Sequence, residues 1–412
     1  MRRRRFLHVV GASATAALLP VTRSPAQGED SVKVLEGVQP LGFRKGKQCT
    51  LMGCLEAVLR YHGEPYDYVD LMGLSGAAFR IRIAYPSSDR LMGGRIHPGI
   101  SVDASVGPHL EALLEVTGYQ RETDAHVLHK EKGGERVARR IETEVDENRP
   151  VIAMNLQGAS CWGVIVGYDA DVPLKDEDGE CQGNRYVCRT YYDPEGSDYQ
   201  RAPKFPWDVY LISKGGEALL AEEATRASVK RAVTLLETER GRVSGPTAWM
   251  AFYKPDYVNG ISAYDAWVED LEDDEGIAKL RAEQFLMYWQ GHAWMYDQLH
   301  DARRAAAQYV RRIAPRFAGG ARRRLLEEAA QTYDQLVQHM TEGWDCFPFS
   351  EDGYVEPDTG WWFRVEQEQF LGRQIPAYSG GWTSEMRRRG IEVLRTLREK
   401  DEKALAMLRE VA

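Results

Sequence analysis

Two cysteines, Cys49 and Cys54, stand at the opening of an apolar helical run, which is where a thiol nucleophile would be placed. The thiolate is the attacking species, and a helix N-terminus favours it through unpaired N–H groups and the positive end of the helix dipole. Cys49 precedes the run by several residues, and Cys54 opens its strongest part just after Gly53. Gln48, whose side-chain amide can donate a hydrogen bond, lies beside them. The alternative for Cys54 is a small buried residue on an apolar helix face, a common place for a free cysteine.

A thiol of this kind needs a base, and histidine is the side chain that titrates near neutral pH. His97, in the loop-like stretch Gly93-Gly94-Arg95-Ile96-His97-Pro98-Gly99, is the best placed, with His62 at the helix end as second choice. Asp193 and Asp169 would orient such an imidazole. Each also has a plainer role, because Asp193-Pro194 and Gly167-Tyr168-Asp169 are turn signals in which Asp bonds to nearby backbone.

The elements that must position these residues read as follows. Residues 55–61 have helical spacing and stop at Gly63, and 108–116 and 135–147 give two more helices. Runs at 150–154, 162–166, 185–191 and 209–212 are β-branched or aromatic and bounded by turn residues, so they read as strands. Helices followed by a strand cluster predict an α+β domain. From Glu217 onward the strand signals fade. Apolar or small residues at Ala282, Phe285, Trp289, Ala293, Tyr296, Leu299, Ala306, Val310 and Ile313 define one face of a long helix ended by Pro315, and 325–340 and 391–408 give two further amphipathic helices. The predicted organisation is an α+β domain over 27–215 and an all-α domain over 216–412. Within the second, residues 343–381 are rich in Trp, Gly, Pro and acids and read as an ordered loop that lines a cleft or covers the helical core.

The stretch Gln48-Cys49-Thr50-Leu51-Met52-Gly53-Cys54-Leu55-Glu56-Ala57-Val58-Leu59-Arg60-Tyr61-His62-Gly63, followed by Leu71-Met72-Gly73-Leu74-Ser75-Gly76-Ala77-Ala78-Phe79, resembles the amino-terminal domain of the butirosin biosynthesis protein H family. It is similar, more distantly, to the double-glycine leader peptidases. The resemblance covers roughly residues 35–215 and implies a papain-like (cysteine-proteinase) fold. In that pattern a cysteine begins a helix ending in Tyr-x-Gly, a His-aromatic strand runs into Gly-Tyr-Asp, and an Asp or Asn follows another strand. Arg189-Thr190-Tyr191-Tyr192-Asp193-Pro194 fits the last element. Aligning the helix end puts Cys49 within one residue of the implied nucleophile, whereas the spacing from Gln48 favours Cys54. Counting back from Gly167-Tyr168-Asp169, the implied histidine position holds Cys161, which cannot relay a proton as imidazole does.

The first 26 residues read as a secretory signal, with Arg2 to Arg5 and Phe6-Leu7, an apolar stretch to Leu19, and Ser24-Pro25-Ala26. Arg3-Arg4-Arg5-Phe6-Leu7 fits the twin-arginine export pattern and predicts a periplasmic or extracellular protein. The apolar part is shorter than the roughly 20 residues of a stable membrane span. Loss of that segment's five arginines would move the net charge from −9 to about −14. An acidic chain is a poor nucleic-acid binder, since phosphate contacts need clustered Lys and Arg. The six cysteines are too few for a dense disulfide framework, although Cys181 and Cys188 would close a hairpin if they paired. The chain has no CxxC and no HExxH, so the common zinc patterns are absent, and neither a metal nor a cofactor is expected.

Three readings follow. One is a thiol-dependent peptidase, amidase or acyltransferase using Cys49 or Cys54 on a peptide or on a small amine or acyl substrate. The second is a papain-like domain without catalysis, acting as an exported binding or scaffold module. The third pairs Cys161 with Cys49 or Cys54 as a redox couple across the site. Nothing in the sequence fixes the oligomeric state.

Overall fold

A computed structural model of the chain describes residues 31–42, 47–84, 109–122, 134–157, 161–194, 196–242, 256–280, 282–348, 354–355, 362–363 and 381–412. The predicted leader, His97 and most of the Trp-rich segment 343–381 lie outside the described residues.

In chain order the elements begin with β1 (Val32–Val34), α1 (Thr50–Tyr61), α2 (Tyr68–Ser75), β2 (Arg82–Ala84), α3 (His109–Thr117) and β3 (Tyr119–Arg121). Next come α4 (Gly134–Asp146), β4 (Val151–Met154), β5 (Trp162–Asp169), β6 (Tyr186–Arg189), β7 (Gln200–Arg201), β8 (Asp208–Tyr210) and β9 (Ile212–Lys214). The remainder comprises α5 (Ala221–Glu237), β10 (Arg240–Arg242), β11 (Asp256–Asn259), α6 (Ser262–Glu272), α7 (Asp274–Ala278), α8 (Ala282–Ile313), α9 (Gly320–Glu342), β12 (Tyr354–Val355), β13 (Trp362–Phe363) and α10 (Ser384–Val411). The mixed α+β character expected from the sequence is present.

The central sheet runs β7-β6-β5-β4-β8, with β1 paired to the far end of β5, and every pairing in it is antiparallel. Seven of the eight residues of β5 are buried because α1 and α4 pack against it, so its apolar run needs no alternation. Gly167 lets β1 close in. A Cβ there would lie 2.2 Å from the Lys33 carbonyl oxygen.

Helix α1 starts five residues before the predicted 55–61 and is buried from Leu51 through Leu59. Gly53, a weak helix former, hides this first turn from a reading based on propensity. It is required by packing, because a Cβ at Gly53 would lie 1.7 Å from the Tyr191 hydroxyl oxygen.

The C-terminal half is helical but not all-α, which corrects the sequence expectation. β10 and β11 join β2 in a three-stranded antiparallel sheet, so strands from both halves share one ladder. Runs of three and four residues are too short to show a period of two, and their pairing partner is distant in the chain. The helices α8, α9 and α10 pack side by side, α6 lies on α10, and α2 lies on α8. Arg303 on α8, fully buried, joins these layers. Its Nε and Nη2 donate to Asp401 of α10 at 3.0 and 2.6 Å, while Nη1 donates to the Ala78 carbonyl at 2.8 Å. Among the described residues no helix is long and apolar enough to cross a membrane.

Candidate functional site

The start of α1 is held from two sides. On one side Asp301 of α8 accepts the Gln48 N–H at 3.1 Å and the Tyr68 hydroxyl at 2.5 Å on the same carboxylate oxygen. Tyr68 in turn accepts the Cys49 N–H at 2.9 Å. Two of the backbone donors at this helix start are thus satisfied by side chains distant in sequence. Arg304 donates to the other Asp301 oxygen at 2.6 Å, and burial still pushes the Asp301 carboxyl above its ordinary range.

On the other side lies the start of β5. The Trp162 N–H donates to the Thr50 hydroxyl at 3.2 Å, which ties the first residue of the strand to the first residue of the helix. Cys49 and Cys161 are the residues immediately before that pair. Cys54 follows Thr50 by one turn and shares its helix face. The three thiols gather where the sheet meets the helix start.

Their surroundings decide their chemistry. Cys49 is the N-cap residue, in extended backbone geometry (φ −79°, ψ 93°), buried, and its side chain makes no capping bond. Cys54 is fully buried, and its pKa is pushed well above the ordinary thiol value by burial first, then by Cys161, then by Cys49. The activation of Cys54 expected from the helix N-terminus is opposed by burial, which disfavours the thiolate, and Cys54 lies beyond the unpaired N–H groups of the first turn. Cys161 is partly exposed, and its Sγ lies 3.3 Å from the Tyr192 hydroxyl. Tyr191, the neighbouring residue, rests its hydroxyl on Gly53 and is surrounded electrostatically by Cys54, Cys49, Asp301 and Glu56.

The other predicted site residues are placed as follows. Gln48 is buried and anchored through its backbone to Asp301. Asp193 closes its own turn, accepting the Thr190 N–H at 3.1 Å and the Thr190 hydroxyl at 2.6 Å, and burial pushes its carboxyl up to about 6. Asp169 pairs with Arg201 at 2.6 Å and accepts the Asp171 N–H at 3.0 Å, the turn role anticipated for it. His62 caps the opposite end of α1, about 20 Å along the axis from Cys49 at 1.5 Å per residue. From Cys54 the same rise gives about 12 Å, so neither thiol is within reach of His62 as a base. The thiols of Cys161 and Cys49 are the neighbours that act electrostatically on Cys54, and no histidine is among them.

None of the six cysteines is in a disulfide. Cys181 and Cys188 do not close a hairpin together. Cys181 bridges to Lys175, while Cys188 sits inside β6 between β5 and β7. No group of three or more His, Cys, Asp or Glu among the described residues is arranged to hold a metal ion.

Sequence reasoning missed Tyr68, Thr50 and Asp301. Asp301 left one trace, since it interrupts the buried stripe of α8 together with Asp297, His300 and Arg303. Comparison with protein-family models gives no match, and comparison with curated proteins gives none either.

Proposed function

We propose that the chain carries a papain-like α+β domain whose cleft does not hydrolyse peptides or amides and that works as an exported binding or scaffold module. The observation that carries this reading is Cys161. A thiol lies at the start of β5, against the opening of α1, where the resemblance implies an imidazole. Hydrolysis through a thioester needs a group that takes a proton from the nucleophile and returns it to the leaving group. Cys161 cannot do this near neutral pH, His62 is too far, and Asp193, whose Oδ1 is bonded by Thr190, is not among the groups that act electrostatically on Cys54. Cys54, held as a neutral thiol, would be a poor nucleophile. The ligand class would be a peptide or a small amine or acyl compound, as the resemblance implies.

One observation favours the alternative of a thiol-dependent peptidase, amidase or acyltransferase. Cys49 is the N-cap of α1, the position at which a helix dipole most favours a thiolate. In that reading His97 would supply the base.

Alkylation of the reduced full-length chain by iodoacetamide from pH 5 to 9, read by peptide mass spectrometry, separates the two. The proposal expects slow labelling of Cys49 that rises only as pH approaches the ordinary thiol value of about 8.5. Fast labelling of Cys49 well below pH 8 would overturn it in favour of the enzyme.

A further inference from the structure

We infer that Cys161 and Cys54 form a dithiol that exchanges with disulfide-bearing partners, Cys161 as the attacking thiol and Cys54 as the resolving one. The inference rests on the thiol cluster and not on kinship with any family, so it stands or falls separately from the proposed function.

Proximity comes first. The bond from the Trp162 N–H to the Thr50 hydroxyl, 3.2 Å long, fixes the start of β5 on the first turn of α1. Standard bond lengths then hold the Cys161 Cα within roughly 8 Å of the Thr50 Cα. Cys54 is one turn further along the same helix face, so its side chain lies beside that of Thr50. Of the two thiols that act on Cys54, Cys161 has the larger electrostatic effect and Cys49 the smaller. A disulfide needs Cα atoms about 4.4–6.8 Å apart, so forming one requires the start of β5 to come to that spacing from Cys54.

Exposure assigns the roles. Cys161 is partly exposed, while Cys54 has no accessible surface. An external disulfide meets Cys161 first. The Tyr192 hydroxyl, 3.3 Å from the Cys161 sulfur, is positioned to donate to the thiolate and stabilise it. The remaining cysteines are elsewhere. Cys188 is enclosed in β6, Cys181 lies by the turn before it, and Cys346 packs near Trp382, which donates to its carbonyl at 2.7 Å.

The chemistry balances as thiol–disulfide exchange. The Cys161 thiolate attacks one sulfur of a partner disulfide, forming a Cys161–partner mixed disulfide and expelling one partner thiolate. That thiolate, or a solvent base, takes the proton of Cys54. The Cys54 sulfur then attacks the Cys161 sulfur, forming the Cys54–Cys161 disulfide and releasing the second partner thiolate. Two electrons pass from the protein dithiol to the partner disulfide, which leaves as two thiols. Because the Cys54 proton is tightly held, the second step is the slow one and the mixed disulfide accumulates.

The test uses the reduced full-length chain and oxidised glutathione, with acid-quenched samples mapped by mass spectrometry. The expected course is a glutathione adduct on Cys161 that appears early and decays into a Cys54–Cys161 cross-linked peptide pair. In Cys54→Ala the adduct on Cys161 persists, in Cys161→Ala neither species forms, and Cys49→Ala still passes through the Cys161 adduct to the Cys54–Cys161 pair. The wild-type time course is decisive by itself if a variant fails to fold. A cross-link joining Cys161 to Cys49, or an adduct on native wild-type protein that never resolves into an internal disulfide, overturns the inference.

Discussion

Asp301 of α8 accepts the backbone N–H of Gln48 at 3.1 Å, so the residue preceding the first thiol is held by a helix 253 positions further along the chain. The same oxygen takes the Tyr68 hydroxyl, and Tyr68 takes the Cys49 N–H. Asp301→Ala would strand the Gln48 and Tyr68 donors in a buried setting and is expected to destabilise the protein by about 2–4 kcal/mol. It would also free the Gln48-Cys49 backbone, so alkylation of Cys49 in the native state should accelerate. Asp301→Asn keeps an acceptor and should lie between the two. Unchanged Cys49 labelling in a folded Asp301→Ala protein would show that the contact does not position the thiol.

Gly53 and Tyr191 form a second relationship across the site. A Cβ at position 53 would meet the Tyr191 hydroxyl oxygen at 1.7 Å and its ring carbon Cζ at 2.9 Å. Gly53→Ala in an open helix would gain about 1 kcal/mol. Here the clash should reverse the sign and give a net loss of about 1–3 kcal/mol. Tyr191→Phe removes the closest atom, so the double variant should lose less than the sum of the single changes. Urea midpoints for the three proteins test this, and a stabilised Gly53→Ala would sink it.

The legibility of these features in the sequence follows their length and their range. Helix α8 matches the predicted span 282–313 because its apolar face repeats over nearly nine turns, and α4 and β4 agree with expectation to within a residue or so. Helix α2, with eight residues, and the paired strands β10 and β11 are too short for a period to emerge. Cys161 could be placed beside the helix start by counting back from Gly167-Tyr168-Asp169. Asp301 could not be placed, because its partners Gln48 and Tyr68 leave no local pattern around it. Burial of Cys54 was the alternative already visible in its apolar neighbours. What the sequence did not reveal is that Cys54 has no accessible surface and that burial raises its pKa.

Asp193 makes stability depend on pH. Its folded pKa of about 6 lies above the unfolded value of about 3.9. The folded state therefore binds the proton more tightly, and the resulting stabilisation is complete below the unfolded pKa. It is lost as pH rises through the folded pKa, between roughly pH 4 and 6, and amounts to about 2–3 kcal/mol. Asp193→Asn keeps an oxygen acceptor for Thr190 and removes the ionisation. It should match wild type near pH 4, exceed it in stability at pH 7, and flatten the wild-type slope between those limits. Guanidinium unfolding at a series of pH values checks this, and an Asn variant weaker than wild type at pH 7 would refute it.

The ion pair of Arg303 with Asp401 carries the largest expected effect. Both side chains are completely buried, and Tyr264 donates to the same Asp401 oxygen at 2.6 Å. Arg303→Met leaves Asp401 charged in an apolar setting and removes the donor to the Ala78 carbonyl. Breaking a buried pair from one side typically costs about 3–5 kcal/mol. Asp401→Leu strands the guanidinium in the same way. The double variant Arg303→Met/Asp401→Leu removes both charges, so its loss should be well below the sum of the single losses. What persists in it is the loss of the Arg303 donor to the Ala78 and Arg80 carbonyls and of the Asp401 acceptor for the Tyr264 hydroxyl. A double-mutant cycle by chemical denaturation measures the coupling directly. Additive losses would mean that the two charges are stabilised independently and that the pair does not clamp α8 to α10.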